Sequence, residues 1–346
     1  MNRTAIQNRV VTATAEHEIG KNQYVVAPGV WRVKDTFVNC FILQNTGGTN
    51  NWILVDAGLK SSAEKIRSLA ENVMGSRNSR PSAIVLTHGH FDHVGSVLEL
   101  AREWGVPVYC HKLEAPYLTG RSKYPPADPS VGGGLMAYLS FAYPRGPVNI
   151  QDHLQMLNED GSIPGMPEWR WLHTPGHAPG HISLYREHDG VLVAGDAVTT
   201  TNQNSALSVM TQKKELQGPP RYFTIDWGAS ARSVRLLAQL QPQVIATGHG
   251  PSMYGAEARK ALNKLTRQFW DLAMPEDGRY VHEPALTNES GVTYVPPARP
   301  NYTLLAIAGV TVATVTLGIL YLRQQKKKKQ WQEYLNDQLD RWNAGS

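Results

Sequence analysis

The sequence of 346 residues is poor in cysteine and has no apolar stretch near its first residue. Its two cysteines, Cys40 and Cys110, both lie in apolar runs, so we expect two buried free thiols. A disulfide is the alternative, but nothing in the sequence supports it. The first ten residues lack the hydrophobic segment that a secretory signal needs. We therefore expect neither an export signal nor a structural disulfide.

Excess positive charge is scarce outside the last residues. The net charge is +5, but residues 323–346 hold six basic and three acidic side chains, which leaves only +2 for the rest of the chain. A protein that binds a polyanion usually presents a concentrated basic surface. The charge distribution therefore predicts no nucleic-acid partner.

One long uncharged run stands out near the C-terminus. Residues 303–322 contain no charged side chain and precede four consecutive lysines. About twenty helical residues cross a hydrocarbon core of about 30 Å, and Tyr302 and Tyr321 flank the run as interfacial aromatics do. We predict a single-pass membrane protein anchored here, with a buried core helix as the disfavoured alternative. The lysines favour a cytoplasmic C-terminus, which would place the catalytic domain on the other side of the membrane. The missing export signal instead favours a cytoplasmic catalytic domain, and this is the orientation that we expect.

The chain before this run alternates short apolar strands with helices, which predicts an α/β fold. Two long segments, 121–148 and 202–222, are predicted to be loops that wall a binding pocket. The residues from 275 to 300 are rich in proline, glycine, glutamate and asparagine. We therefore predict four parts: a catalytic domain (1–274), a linker (275–301), a transmembrane helix (302–322) and a basic tail (323–346).

A dense cluster of polar side chains follows the apolar strand 83–86. The sequence THGHFDHVG places His88, His90, Asp92 and His93 within six residues. Alternate residues of an extended segment point the same way, so the first three can face one side. Imidazole and carboxylate groups packed this tightly favour a bound cation, with zinc preferred and iron or manganese also suitable.

Three later motifs repeat this arrangement of a strand followed by a polar residue at a glycine-containing turn. They are HTPGHAPGH, which contains His177 and His181, AGDA, which contains Asp196, and TGHG, which contains His249. Ligands placed on loops at strand ends form a rigid site. The four motifs together therefore predict a metal centre.

With these motifs in this order, the chain resembles the metallo-β-lactamase-fold superfamily over roughly residues 29–273. The resemblance implies a four-layer αββα sandwich and a hydrolase with two divalent metal ions, in which a bridging hydroxide attacks the substrate. His88, His90 and His177 would hold one metal. Asp92, His93 and His249 would hold the other, and Asp196 would bridge the two. Asp92 or Asp196 would orient the hydroxide or move its proton.

Other side chains are expected around this centre. The resemblance implies that Asp56 supports the site without binding metal, although it could be a simple turn residue. For His181 we expect a supporting or substrate-wall position, since the metals already have their ligands. Some leaving groups need a proton donor. The candidates are three tyrosines of the predicted loops, Tyr124, Tyr138 and Tyr222. The alternative is that these side chains only pack against their neighbours.

At some motif positions this sequence differs from particular branches of the superfamily, and these differences reduce the number of candidate activities. The commonest β-lactamases of this fold use a cysteine where Asp196 stands, and flavodiiron-type proteins have a glutamate in the place of His90. We therefore expect a lactonase-like or glyoxalase II-like hydrolase of a small ester, lactone or thioester. A phosphodiesterase or nuclease of the same fold and a membrane-tethered, non-catalytic binding module are the alternatives.

Overall fold

The computed structural model describes residues 15–47, 51–76, 78–298 and 314–330. These residues fall into two compact units, one that ends at Ala298 and one that begins at Arg299. The first unit contains every residue of the predicted metal centre.

The largest sheet in this unit follows the order of the chain. It has eight strands in the order β1 to β8, and its last four strands are parallel to one another whereas the others pair antiparallel. Residues 30–44 form two of these strands. The strands are His17–Gly20 (β1), Gln23–Ala27 (β2), Val30–Asp35 (β3), Val38–Gln44 (β4), Trp52–Val55 (β5), Ala83–Val85 (β6), Val108–Cys110 (β7) and Leu154–Met156 (β8).

The second sheet has five strands in the order β13-β12-β11-β10-β9. β11 and β12 are parallel, with Val193 opposite Ala246, so their carboxyl ends lie at the same edge. Its strands are Trp169–His173 (β9), Ile182–Arg186 (β10), Val191–Val193 (β11), Val244–Ala246 (β12) and Met253–Tyr254 (β13).

The helices cover the outer faces of the two sheets. The longer ones are amphipathic, because apolar residues at helical spacing form one buried stripe. Short helices occupy the connections between them. Among the described residues of this unit, the α-helices are Ala63–Met74, Val97–Trp104, Ala115–Leu118, Leu135–Tyr138, Ala206–Thr211, Trp227–Gln239, Gly255–Arg267 and Phe269–Leu272.

Three buried clusters define four layers. One lies between the sheets, where Phe41 and Val85 of the larger sheet pack with Leu184 and Val193 of the smaller one. A second cluster joins the larger sheet to helices Ala63–Met74 and Val97–Trp104, and a third joins the smaller sheet to helices Trp227–Gln239 and Gly255–Arg267. The predicted αββα sandwich is therefore confirmed. Both cysteines are buried and free, as expected.

Polar contacts join the two sheets near the predicted centre. The side-chain amide of Asn39 donates to the carbonyl oxygens of Thr247 (2.9 Å) and Gly250 (2.8 Å). The Ile182 N–H donates to the Thr87 carbonyl oxygen at 2.9 Å. These bonds fix the strand ends of one sheet against those of the other.

Residues 275–298, the described part of the predicted linker 275–301, fold with the first unit. They contain a strand pair, Leu286–Asn288 (β14) and Gly291–Tyr294 (β15). Tyr280 is buried, and its hydroxyl donates to the Pro126 carbonyl oxygen at 2.6 Å. The compact unit therefore extends beyond residue 274.

The predicted membrane anchor is corrected by the structure. Residues 302–313 lie outside the described part of the chain, and residues 314–330 form a helix. In the described part of this helix, Arg323 and four lysines follow the uncharged residues 314–322. None of the described helices is both long enough and apolar enough to cross a bilayer. The prediction of a single-pass membrane protein was therefore wrong.

Shortening Leu54 should test the packing of the larger sheet. Its side chain is fully buried in β5, so Leu54→Ala should lower the free energy of unfolding by about 2–5 kcal/mol through lost burial and a residual cavity. Urea denaturation followed by circular dichroism would measure this. Leu286→Ala, at a position 53% exposed, is the control and should have little effect. Equal stability of both variants would contradict the assigned core.

Candidate metal centre

The ends of four strands converge on one buried cluster. The turn after β6 carries His88, His90, Asp92 and His93, and the other three residues follow β9, β11 and β12. All seven predicted ligands are buried, with exposures between 0% and 6%. Because the ligands come from both sheets, the centre lies where the sheets meet. The three from the smaller sheet are His177, Asp196 and His249.

The structure groups these side chains in three overlapping sets. In each set the potential ligand atoms lie within 4.8 Å of one another. Two sets reproduce the two half-sites that the resemblance implies, and the third links them through Asp196. The sets are His88–His90–His177, Asp92–His93–His249 and His88–His93–Asp196.

Asp196 lies between the two half-sites. Its Oδ2 is 3.1 Å from Nε2 of His249 and 3.5 Å from Nε2 of His177. Its Oδ1 is 3.6 Å from Nε2 of His93. One carboxylate thus faces histidines of both half-sites, as a bridging ligand would.

Asp56 orients two of the histidines without entering the cluster. Its carboxylate accepts hydrogen bonds from the N–H and the hydroxyl of Thr87, both at 2.8 Å, and its Oδ2 lies 2.8 Å from Nδ1 of His93. The Thr87 hydroxyl is in turn 3.0 Å from Nδ1 of His88. These contacts place the protons on Nδ1, which leaves Nε2 of both histidines to face the centre. Asp56 has a positive φ of 60°, a strained conformation of the kind found at functional sites.

His181 supports the centre through hydrogen bonds and has no free ring nitrogen with which to bind a metal. Its Nε2 accepts from the Asp196 N–H at 2.8 Å, and its Nδ1 lies 2.9 Å from the Thr174 hydroxyl. Both ring nitrogens are therefore occupied. His249 is fixed similarly, because its Nδ1 lies 2.8 Å from the Phe37 carbonyl oxygen and so directs Nε2 toward Asp196.

Burial and mutual proximity set the charges of the cluster. Burial and the neighbouring His93 lower the pKa of His90 to about 3, so its ring is neutral. Burial acts to raise the pKa of Asp196, but the nearby His249 and His93 outweigh it and hold that pKa well below its usual range. His90 and Asp196 are therefore in the forms that bind metals, a neutral imidazole and an ionised carboxylate.

Several buried atoms of the cluster lack a hydrogen-bond partner among the described residues. They include Nε2 of His88, Nε2 of His93 and Oδ1 of Asp196. Buried polar atoms are rarely unpaired, and a role in binding an ion is one established reason for it. Nitrogen and oxygen donors of this kind fit two divalent cations.

A cleft of about 370 Å³ opens over Asp92, Asp196 and His249. Its other walls are mainly aromatic and apolar, and they come partly from the two loops expected to form a pocket. No lysine or arginine is among the lining residues, which besides those three are Phe37, His90, Phe91, Met136, Tyr143, Pro220, Tyr222 and Phe223.

The three candidate tyrosines occupy different places. Tyr222 lines the cleft, whereas Tyr124 and Tyr138 are not among its lining residues. Tyr124 lies behind the centre, with its ring 4.5 Å from that of His90. Tyr138 is half-buried at the end of helix Leu135–Tyr138.

Sequence reasoning missed Glu114, which is fully buried and contacts both histidine-bearing loops. Burial raises its pKa to about 6 against the lowering effect of its hydrogen bonds to Tyr124 and to the backbone of Gly180 and Gly89. One signal could have revealed it. Glu114 follows β7, the parallel neighbour of β6, so the two strands bring it to the same edge as His88.

Comparison with known proteins agrees with this geometry. A sequence profile of the Metallo-beta-lactamase superfamily matches residues 33–249. The chain is 44% identical over 245 residues to the probable metallo-hydrolase YflN of Bacillus subtilis (strain 168), covering 71% of this chain and 92% of that protein. It is 28% identical over 181 residues to the probable metallo-hydrolase YybB of the same organism, covering 52% and 70% of the two chains.

Among solved structures, a metallo-beta-lactamase family protein from Thermus thermophilus aligns at 23% identity with a TM-score of 0.49. The alignment covers 71% of this chain and 80% of that one. The profile match, the similarity to YflN and the buried histidine and aspartate groups lead to one conclusion: the chain belongs to the metallo-β-lactamase superfamily and is a metallo-hydrolase of that fold.

Proposed function

We propose that this enzyme hydrolyses a small, uncharged ester, lactone or thioester at a centre of two divalent metal ions, with zinc as the expected metal. The observation that carries the proposal is the cleft over Asp92, Asp196 and His249, whose walls are mainly aromatic and apolar. Apolar walls with a few convergent polar groups are typical of small-molecule sites.

The charge of the cleft supports a neutral substrate. An enzyme that cleaves a phosphodiester must bind an anion, and arginine and lysine are the side chains that usually do so. None of the cleft-lining residues is either of these.

The two half-sites would divide the metals. His88, His90 and His177 would hold one, the group of Asp92, His93 and His249 would hold the other, and Asp196 would contact both. Two divalent cations there would polarise the substrate carbonyl and lower the pKa of the attacking water.

The side chains at the cleft would handle protons and orientation. Asp92 lines the cleft, with its Oδ2 3.5 Å from Nε2 of His249. It is therefore placed to accept a proton from the attacking water. Tyr222, on the opposite loop, would donate a hydrogen bond to the substrate oxygen that gains charge or to the leaving group.

A substrate panel should separate the candidate activities. Metal content and hydrolysis of lactones, thioesters, carboxylic esters, nitrocefin and a bis-aryl phosphodiester would be measured on the full-length chain. We expect two metal ions per chain and turnover of a neutral carbonyl substrate. Hydrolysis of the phosphodiester alone would overturn the proposed substrate class. A chain without metal, inactive on every substrate, would instead indicate a binding module.

Replacing Asp196 should disable the centre. Asp196→Asn keeps the shape of the side chain but removes the negative charge shared by both half-sites, so kcat/KM should fall by about 100-fold or more. Asp152→Asn, at an exposed position outside the cleft, is the matched control and should leave activity unchanged. Steady-state kinetics together with metal analysis would measure both. Activity near that of the wild type in Asp196→Asn would refute the bridging role.

A further inference from the structure

Glu114 joins the two loops that supply the three-histidine half-site. Its Oε2 accepts from the Gly89 N–H at 2.9 Å, and its Oε1 accepts from the Gly180 N–H at 2.7 Å. Gly89 separates His88 from His90, and Gly180 lies three residues after His177. A single carboxylate therefore bonds to the backbone on both sides of this half-site.

The two glycines leave room for this carboxylate. A Cβ atom on Gly180 would lie 2.8 Å from Cγ of Glu114, and one on Gly89 would lie 2.7 Å from the Tyr124 hydroxyl oxygen. Such distances are shorter than carbon atoms tolerate, so side chains here would push Glu114 and Tyr124 away. The glycines of the two histidine motifs thus match the space that Glu114 requires.

A third contact links Glu114 to a histidine ring. The Tyr124 hydroxyl donates to Oε2 of Glu114, and the Tyr124 ring packs against His90. Among the described residues no ion pair involves Glu114, so N–H and O–H donors alone compensate its burial. Burying a carboxylate without a cation is unfavourable, and here these hydrogen bonds offset that free-energy cost beside the metal centre.

We propose that Glu114 is the positioning residue of the His88–His90–His177 half-site. By holding the two loops together it sets the affinity of that half-site for a divalent cation, while the Asp92–His93–His249 half-site is independent of it. The inference rests on the proposed function, since it requires that the centre bind metal.

Metal titrations of full-length variants would test this. Co²⁺ would be titrated into the metal-free wild type and Glu114→Gln, following visible absorption and heat. Glutamine keeps the size of the side chain but offers only one acceptor oxygen, so the N–H groups of Gly89 and Gly180 can no longer each donate to an oxygen of this side chain. We expect one Co²⁺ equivalent to bind about 10- to 100-fold more weakly, the range seen when supporting partners of metal ligands are removed. The other equivalent should bind as in the wild type.

Two backgrounds would identify the affected half-site. In His249→Ala, which leaves the three-histidine group complete, adding Glu114→Gln should still weaken Co²⁺ binding. In His177→Ala, which leaves the other group complete, adding Glu114→Gln should have no effect. Equal weakening in both backgrounds, or none in either, would overturn the inference.

Glu168→Gln is the control for the loss of a carboxylate that accepts hydrogen bonds from backbone N–H groups. Glu168 accepts from the N–H groups of Thr46 (2.9 Å) and Gly47 (2.7 Å), and it is not among the residues of the metal-binding sets. Glu168→Gln should leave both Co²⁺ affinities unchanged.

Melting temperatures of the metal-free proteins provide a second readout. Parallel loss of stability and of both affinities in Glu114→Gln would indicate a merely structural role. A wild type that binds no Co²⁺ would refute the proposed function itself, whereas normal binding by both wild type and Glu114→Gln would refute only this inference.

Discussion

The structure depends on burying the imidazole and carboxylate groups of the metal centre where two sheets meet. Such groups are costly to remove from water unless their charges are compensated and their hydrogen bonds are made. Much of the surrounding architecture serves this need. Asp56 fixes His93 and, through Thr87, His88, while His181 takes a hydrogen bond from the Asp196 N–H. The backbone carbonyl of Phe37 fixes His249 in the same way.

The sequence alone was a good guide to the centre, because its ligands follow strands in short motifs with glycines. The resemblance carried by those motifs grouped the ligands as the structure groups them. It was a poor guide to Glu114, since a lone acidic residue after a short strand has no pattern of its own. Only the parallel pairing of β6 with β7 brings it to Gly89.

Two other predictions differ from the structure for physical reasons. Composition assigned 275–301 to a linker because proline and glycine are frequent, yet the hydrogen bonds from Tyr280 to Pro126 and from Val292 to Ser122 hold residues 275–298 on the first unit. Hydropathy assigned a membrane span because the uncharged run has the right length. None of the described helices meets the length and hydropathy that a membrane span needs, and the described helix 314–330 includes Arg323 and four lysines.

The hydrogen bonds of Asn39 constrain the order in which this enzyme folds. Asn39 and Thr247 are 208 positions apart in the chain, and their contact lies beside the turn that carries His249. Contacts over such separations form late, because the loops between them must close first. The complete ligand set can therefore exist only after nearly the whole body has been synthesised and its two sheets have docked. Loading of both half-sites would thus follow folding, because a chain truncated before β12 would keep the His88–His90–His177 group but lack His249 of the other half-site.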